Sequence, residues 1–347
     1  MKRQLLLLSA VGIIMPCWAQ TTVQMFGVVD MSVAHGSGSV SDKTQLSRGG
    51  YRANRIGFRG TENIGGGNSV QFWLEVGFNG DDGTGSPTNT NNQASGATNG
   101  QGLTFNRRST IALAGPWGEV RLGRDMPPQY MNLLYGDVMA LTGVAGTVNF
   151  TNIITGVTAS RASNMIQYFT PKHDSGFAAQ VAHYRGENAS AAPNRDDGNG
   201  NAALLSYRKG PLAGGIAWGR TSYATGDVLQ RNAYASWNFG FATLQAVASS
   251  DRAGSLGARG ANIGLSVPFG PHTLLGTYSV YRRDSVNEPE ARKIALRYVY
   301  SLSKRTLLYS AAAHVENRGG SAVSLLGAVT AANASSSGIE FGINHRF

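Results

Sequence analysis

Arginines recur in segments of this chain where charged and apolar side chains alternate. Arg55 and Arg59 lie four residues apart with Ile56 and Phe58 between them, and Arg121 lies between two apolar residues. Because alternate residues of a strand point to opposite faces, we predict that these arginines lie on a polar face. A guanidinium group keeps its charge at physiological pH and presents a fixed fork of donors, so a cluster of arginines would attract anions. The competing interpretation is that each arginine pairs with a carboxylate as a structural brace.

Further charged residues belong to the same face or to its margin. The alternation places Glu75 and Asp30 on the polar faces of their segments. Arg108 and Arg124 are also candidates, but they lie near predicted strand ends, where alternation no longer identifies the face. Together with the three arginines above, these residues are the predicted charged lining of a shared polar surface.

The residues that could catalyse bond breaking are not suitably spaced. An enzyme needs a nucleophile and a base within hydrogen-bond reach. Ser310 and His314 share a strand face, but four residues of extended chain separate them too far for direct contact. The sequence contains no Gly-x-Ser-x-Gly motif. We expect no enzyme. A barrel lipase or protease stays the alternative, which activity against lipid or peptide would establish.

Metal, cofactor and nucleic-acid sites are also not predicted. The run Asp196-Asp197-Gly198-Asn199-Gly200 resembles part of a calcium loop but lacks the distal glutamate. Its glycines mimic a dinucleotide fingerprint without a βαβ unit around them. The six histidines are scattered without i, i+4 spacing, and the basic residues form no stripe. We therefore expect no cofactor, no metal and no nucleic-acid partner.

The elements that must position the charged groups are strands of about ten residues. Each has one apolar and one polar face, and helical periodicity is weak. In the segment 305–316 the apolar face is assigned to Leu307, Tyr309 and Val315. The predicted strands span 23–34, 51–61, 69–79, 103–114, 118–124, 162–171, 177–186, 202–209, 212–222, 229–239, 241–251, 259–268, 272–282, 291–302, 305–316 and 337–347.

The connectors between these strands fall into two classes that largely alternate. Tight ones, such as Gly115-Pro116-Trp117, alternate with long polar ones at 36–50, 80–102, 125–161, 187–200, 252–258, 283–290 and 317–335. Short turns on one rim and long loops on the other are typical of an antiparallel barrel. We predict a transmembrane antiparallel β-barrel of about 16 strands.

The N-terminal residues have the layout of a secretory leader. A short basic segment precedes an apolar run from Leu5 to Met15, which is too short to span a bilayer, and Ala19 is a suitable small residue for cleavage. We predict a signal peptide at 1–19 and a barrel domain at 20–347. Removing Lys2 and Arg3 leaves 28 basic and 20 acidic residues, which is a net charge of +8. A membrane anchor or a lipoprotein attached through Cys17 is the weaker alternative.

A soluble β-sandwich or β-helix is the alternative fold. Its inner face would be dry, and it could not hold the arginine, glutamate, asparagine and glutamine side chains of the polar faces without partners. A barrel of this size encloses water, while its apolar faces point outward to lipid. The aromatic residues near strand ends, which include Phe169, Tyr184, Tyr281 and Tyr300, are then predicted to form a belt at the membrane interface.

Five stretches resemble the general porins of beta-proteobacteria. They cover the first strand, the second strand with its turn, the strand before a long loop, a hairpin near the C-terminus and the final residues, at Thr22–Asp30, Arg55–Gly67, Gly118–Arg124, Tyr298–Thr306 and Gly342–Phe347. The resemblance extends from residue 20 to residue 347. It implies a homotrimer of 16-stranded barrels in the outer membrane of a Gram-negative bacterium, each passing small hydrophilic solutes and ions by diffusion.

The resemblance also implies that the third long loop, residues 125–161, folds into the lumen and narrows it. At 37 residues this loop is too long for an ordinary turn, which supports the same expectation. It is rather apolar, and its only acids are Asp125 and Asp137. We therefore expect a weak field across the constriction and a preference for anions from the arginine face. A substrate-specific channel, or adhesion through the long loops, is the further alternative.

Overall fold

The computed structural model describes residues 22–100, 102–147, 158, 160–171 and 173–347, so the predicted leader lies outside the described residues. Within them the chain forms a helix, α1 (Pro128–Gly136), and many strands. The strands are β1 (Thr22–Gly38), β2 (Lys43–Arg48), β3 (Arg55–Gly65), β4 (Asn68–Gly77), β5 (Thr88–Asn89), β6 (Ala97–Thr98), β7 (Arg108–Gly115), β8 (Gly118–Asp125), β9 (Ala162–Phe169), β10 (Phe177–Tyr184), β11 (Gly200–Lys209), β12 (Leu212–Thr221), β13 (Val228–Asn238), β14 (Thr243–Ala253), β15 (Leu256–Phe269), β16 (His272–Asp284), β17 (Glu290–Ser301), β18 (Thr306–Arg318) and β19 (Ser336–Arg346).

The strands close into an antiparallel barrel of 16 strands, as the sequence predicted. Each long strand pairs with its neighbours in chain order, and residues 28–38 of β1 pair with residues 336–346 of β19. β2 and β3 both pair with β1, on successive parts of its length, and together form one interrupted barrel strand. β5 and β6 form a separate small pair within the connector between β4 and β7.

Side chains along the strands alternate between an exposed outer face and a covered inner face. In β17 the exposed residues include Ile294, Leu296 and Tyr298, and the residues between them are buried. β15 and β19 show the same apolar outer face. Since the hydrocarbon of a membrane makes no hydrogen bonds, such an outer face is what a membrane-spanning wall requires.

One strand has the opposite orientation to that expected. The prediction that Leu307, Tyr309 and Val315 of β18 face lipid was wrong, because all three are buried inside the barrel. They belong to an apolar cluster with Met139 and Val144 of the connector that follows β8. The inner wall is therefore apolar where a loop packs against it, and β18 presents Leu308, which is 41% exposed, to the outside instead.

The two rims differ in the length of their connectors. The turns at 66–67, 116–117, 210–211 and 270–271 are tight, whereas the opposite rim carries the long loops. Two predicted long loops are shorter than expected. Residues 252–258 form a hairpin whose turn is Gly254 and Ser255, with Gly254 at a positive φ of 58°, and residues 36–50 contain the end of β1 and all of β2. In the described part of the chain, no helix has the length and hydrophobicity to span a bilayer.

The outer face yields a prediction about stability. Ile263 lies in the middle of β15 and is 49% exposed on the outside. Replacing it with arginine should lower the free energy of unfolding by about 2–4 kcal/mol, because the charge would enter the apolar zone. Urea unfolding in lipid vesicles measures this change. The matched change Gln71→Arg, on the partly exposed inner wall, should cost much less, and equal losses would contradict the assigned orientation.

Candidate constriction of the lumen

The connector between β8 and β9 begins with helix α1, which lies on the inner wall. Pro127 is the N-cap of the helix and Pro128 is its first residue, where a missing amide proton costs nothing. Leu133 of the helix packs with Tyr234 of β13 and Val247 of β14. This contact fixes the helix against the side of the barrel formed by β11 to β14.

Amide side chains orient the helix on that wall. Gln129 Nε2 donates to Oε1 of Gln230 at 3.1 Å, and Asn132 Nδ2 donates to Oδ1 of Asn232 at 2.7 Å. Asn232 Nδ2 in turn donates to the backbone carbonyl of Gln129 at 3.0 Å. These polar residues are all buried, and each makes at least one hydrogen bond with another member of the group.

The second part of the connector, residues 137–147, is organised around Asp137. Its carboxylate accepts the backbone amides of Met139 at 2.9 Å, Leu141 at 3.0 Å and Thr147 at 3.2 Å, and also the Thr147 hydroxyl. Asp137 is buried, with 5% of its surface exposed. The sequence predicted Asp137 as part of the charged lining, whereas the structure places its carboxylate inside the loop as a brace.

Arg297 of β17 fastens this part of the connector to the barrel. Its guanidinium donates to the carbonyls of Met139 at 3.3 Å, Thr142 at 2.6 Å and Gly50 at 2.9 Å. The side chain is 2% exposed. Gly50 lies between β2 and β3. Arg297 therefore joins the inward-folded connector to the interrupted strand that β2 and β3 form.

Two further charged residues complete the fastening. Lys293 Nζ donates to the carbonyl of Val144 at 3.1 Å, and Oε1 of Glu340 accepts the Val144 amide at 3.0 Å. Residues 128–147 therefore cover the inner face from β11 around to β19. The described residues of this connector form no apolar cluster with β3, β4, β7 or β8, and these strands carry the predicted arginines.

Arg59 and Arg108 lie on either side of one tryptophan on this part of the wall. Their guanidinium carbons are 5.1 Å and 4.4 Å from the centre of the Trp73 ring. Arg59 also donates to Oε1 of Gln24 at 2.7 Å and 2.9 Å, and stacks on Phe26. Arg59 has no acidic partner among the described residues, so its charge is available to solutes. A cavity of about 290 Å³ opens beside this pair.

Arg55 and Arg107 both contact Glu75. Arg107 Nε lies 2.5 Å from Oε1 of Glu75 and Arg55 Nε lies 3.9 Å from the same atom. Trp73 Nε1 donates to the other carboxylate oxygen at 3.2 Å. One carboxylate therefore partly balances two guanidinium groups, and the position keeps a net positive charge.

Arg121 binds two carboxylates on the same wall. Its guanidinium lies 2.6 Å from Glu119 and 2.8 Å from Asp125, and stacks on the Phe169 ring at 4.2 Å. Asp125 also lies 3.3 Å from Arg108 Nε. Asp125 thus sits among the arginines instead of facing them across the lumen.

Arg124 and Arg161 hold connectors in place. Arg124 donates to the carbonyls of Asn106 at 2.7 Å and Asn89 at 2.9 Å, and to the Ser163 hydroxyl at 2.8 Å. Arg161, just before β9, donates to the carbonyl of Arg107 at 2.8 Å. Burial lowers the pKa of Arg161 to about 10, so this guanidinium stays charged at neutral pH.

Asp30 has a structural position. It is fully buried and accepts hydrogen bonds from Tyr309 at 2.7 Å, Asn344 at 2.7 Å and the Arg52 amide at 2.9 Å. The strand parity expected for Asp30 agrees with the register. Its carboxylate, however, ties the chain between β2 and β3 to β1 and β19, and it is not open to the lumen.

Sequence reasoning missed several groups of this wall, namely Arg107, Arg161, Glu119, Trp73 and Phe26. Two of them carried a usable signal. Glu119 is two residues from Arg121 and therefore on its face, and Trp73 is likewise two residues from Glu75. Arg161 lies in the predicted third loop, and Arg107 lies in the predicted strand 103–114 but just before β7 in the structure, so alternation gave no valid direction for either.

The predicted aromatic belt needs correction. Tyr184 and Tyr281 are buried, with Tyr184 bonding the Thr221 hydroxyl at 2.7 Å, and Phe169 is the ring beneath Arg121. Tyr300, at 37% exposure, is on the outer surface as expected. Among the described residues, no group of three or more histidine, cysteine, aspartate or glutamate side chains is placed to hold a metal ion.

Comparison with known proteins gives one consistent answer. The profile of a family described as Gram-negative porin matches residues 15–320. The chain is 31% identical to outer membrane porin protein 32 of Delftia acidovorans, and the match covers 100% of both chains. It is 24% identical to an outer membrane porin protein of Bordetella pertussis, with 95% of each chain covered.

Solved structures agree with this match. The barrel superposes on an anion-selective porin from Comamonas acidovorans with a TM-score of 0.82 and 31% identity, over 94% of this chain and 100% of that one. Salmonella typhi OmpF shares the fold with a TM-score of 0.67 at 14% identity, over 94% and 97% of the two chains.

The fastening by Arg297 can be tested by substitution. Arg297→Met removes the three charge-assisted hydrogen bonds to carbonyls, so the loop should open more easily by about 3 kcal/mol. Amide hydrogen exchange in residues 138–147 should then quicken by about a hundredfold, and the conductance of the barrel in a planar bilayer should rise.

Two controls accompany this variant. Arg297→Lys keeps the charge and should show an intermediate effect, and Arg292→Met, on the outer face of the same strand, should leave the loop unchanged. Unchanged exchange in Arg297→Met would mean that the apolar cluster alone holds the loop.

Proposed function

Because this chain belongs to the Gram-negative porin family, we propose that its channel favours anions over cations and that Arg59 and Arg108 are the main source of the preference, since two carboxylates balance Arg121. The protein is an outer-membrane porin, a closed 16-stranded barrel that lets small hydrophilic solutes and ions diffuse through its lumen. It is a channel and not an enzyme. Selectivity by charge is the finer property proposed here.

One observation carries the proposal: arginines outnumber carboxylates on the wall that the described part of the inward loop leaves uncovered. The carboxylates of Glu75, Glu119 and Asp125 each contact an arginine of this wall. Neither acid of the loop faces these arginines from across the lumen, since Asp125 pairs with Arg108 and Arg121 on the same wall and Asp137 binds loop amides. A wall with excess positive charge in a narrow lumen raises the local concentration of anions.

A relative supports the same proposal. The Comamonas acidovorans protein, which shares 31% of its residues with this chain and nearly all of its fold, is described as anion-selective.

The other residues that the sequence predicted as lining of the lumen have supporting roles. Arg55 contributes charge beside Glu75, while Arg124, Asp30 and Asp137 hold the wall and the loop in place.

Bilayer recordings test the preference. In a tenfold gradient of KCl, the reversal potential should have the sign expected for chloride permeation. Its magnitude should be a substantial part of the roughly 59 mV expected for ideal selectivity. Arg59→Gln combined with Arg108→Gln should move this potential toward zero, because two of the charges facing the lumen are lost. At about 1 M salt, where the screening length is about 3 Å, the wild-type preference should also shrink.

The control variant removes two charges from elsewhere on the protein. Arg195 and Arg318 are exposed on the long-loop rim, and replacing both with glutamine gives the same change in net charge. This variant should keep the wild-type reversal potential. A cation preference in the wild type, or an equal shift in both double variants, would contradict the assignment to the uncovered wall.

We also propose that three copies assemble into a homotrimer, on the basis of the family resemblance. Native mass spectrometry of the detergent-solubilised protein should give three times the mass of one processed chain. Each insertion into a planar bilayer should add the conductance of three channels at once. A single-chain mass with single conductance steps would remove the trimer from the proposal and leave the selectivity unaffected.

A further inference from the structure

The outer face of the barrel carries three neighbouring arginines near the long-loop rim. Arg220 of β12 and Arg252 of β14 both pair with Leu229 of β13. These two arginines and Leu229 therefore form one row across adjacent strands. Arg231 lies two residues further from the rim on the same face. This face points outward, because Ile216 lies four residues before Arg220 on the same face of β12 and is 60% exposed.

The three arginines surround a shallow cavity of about 620 Å³. Arg220 lies 2.5 Å from the carboxylate of Asp227. Among the described residues, no carboxylate oxygen lies within 4.0 Å of the guanidinium nitrogens of Arg231 or Arg252. The cavity therefore holds uncompensated positive charge on the surface that faces lipid.

Arginines on the neighbouring strands are different in this respect. Arg282 and Arg292 share Glu290, at 2.8 Å and 2.5 Å, and Arg259 lies 4.0 Å from Asp284. The outer surface thus pairs its arginines with acids on β15 to β17 but leaves Arg231 and Arg252 open. Two arginines without an acidic partner on a lipid-facing surface require an explanation.

An apolar groove continues from the charged cavity toward the membrane centre. It has a volume of about 560 Å³, and Trp218 and Arg231 line both cavities. Its floor is made of the small residues Ala203, Ala233 and Ala248, and the larger Leu205 and Ile216 also line it. A groove with a small-residue floor and larger apolar residues around it fits a hydrocarbon chain.

The depth of Arg231 strengthens this interpretation. It lies two residues, about 7 Å along the strand, further from the rim than the row of Arg252, and therefore deeper in the membrane. A charge on the lipid face of a barrel becomes more costly with depth unless an opposite charge meets it. A guanidinium can bind a phosphate through two parallel hydrogen bonds, and lipid headgroups bring phosphate to the membrane surface.

We propose that this surface binds a phosphorylated lipid of the outer leaflet, with a headgroup phosphate between Arg220, Arg231 and Arg252 and one acyl chain in the alanine-floored groove. The long-loop rim is the outer side of such a barrel, which sets the leaflet. The proposal rests on the outer-membrane location of the protein and not on the selectivity of its pore.

Binding of purified diphosphoryl lipid A to the lipid-free protein in detergent tests the proposal, with native mass spectrometry as the readout. Arg231→Gln combined with Arg252→Gln should weaken binding by about tenfold or more, since each lost contact is a hydrogen bond between charged groups. The variant with Arg195→Gln and Arg318→Gln, which loses the same charge from the same rim, should bind like the wild type. Equal binding by all three proteins would overturn the site.

Two further probes separate the phosphate from the lipid. Lipid A stripped of its phosphates should bind the wild type as weakly as diphosphoryl lipid A binds the double variant. Inorganic phosphate should fail to displace diphosphoryl lipid A at comparable concentration, because it makes no use of the groove. Full binding of the stripped lipid, or efficient displacement by inorganic phosphate, would overturn the proposal as stated.

A variant of the groove and a recording of the pore complete the test. Ala248→Leu adds bulk to the groove floor and should weaken lipid binding without touching any charge; unchanged binding would exclude the groove from the site. Arg231→Gln with Arg252→Gln should keep the wild-type reversal potential, because both residues lie outside the lumen. Failure of the lipid site and failure of the anion preference are thus observed in different measurements.

Discussion

The closure of the barrel between β1 and β19 is the constraint on which the rest of the structure depends. Hydrocarbon offers no hydrogen bonds, so each backbone amide in the membrane must be paired within the protein, and only a sheet without an edge achieves this. The last residue takes part, since the Phe347 carbonyl accepts the Gly27 amide at 3.0 Å. The Phe347 ring occupies the space where a side chain at position 27 would lie, which only glycine leaves free.

Closure of so many strands leaves a wide lumen, and the inward loop divides its wall into two kinds of surface. Where residues 128–147 pack, the inner wall supplies apolar side chains and buried amides, as Tyr309 and Asn232 illustrate. Where none of the described loop residues packs, the wall is partly exposed and carries arginines. The charge of the lumen is therefore set by which strands these loop residues leave uncovered as much as by the composition of those strands.

This division explains how far the sequence could predict the structure. Period-two alternation locates the strands and correctly places Arg59, Arg121 and Glu75 on a common face. The same alternation fails for β18, because an apolar face can meet either lipid or a loop, and the residues of β18 do not distinguish the two. Alternation also cannot show that Asp137 binds loop amides, since those hydrogen bonds form within a loop, where no strand periodicity applies.

The aromatic rings beneath the arginines explain how a crowded cluster of like charges can still act on solutes. A guanidinium that stacks on a ring uses its face, so its N–H donors at the edge stay free for hydrogen bonds. Arg108 over Trp73 and Arg121 over Phe169 have this arrangement. Asp125 accepts from one edge of each of these arginines, Glu119 occupies a second edge of Arg121, and Arg59 directs its donors to a neutral amide instead. The stacking holds the side chains extended along the wall at fixed spacing, which a cluster of lysines could not do, because an ammonium group has no flat face to stack.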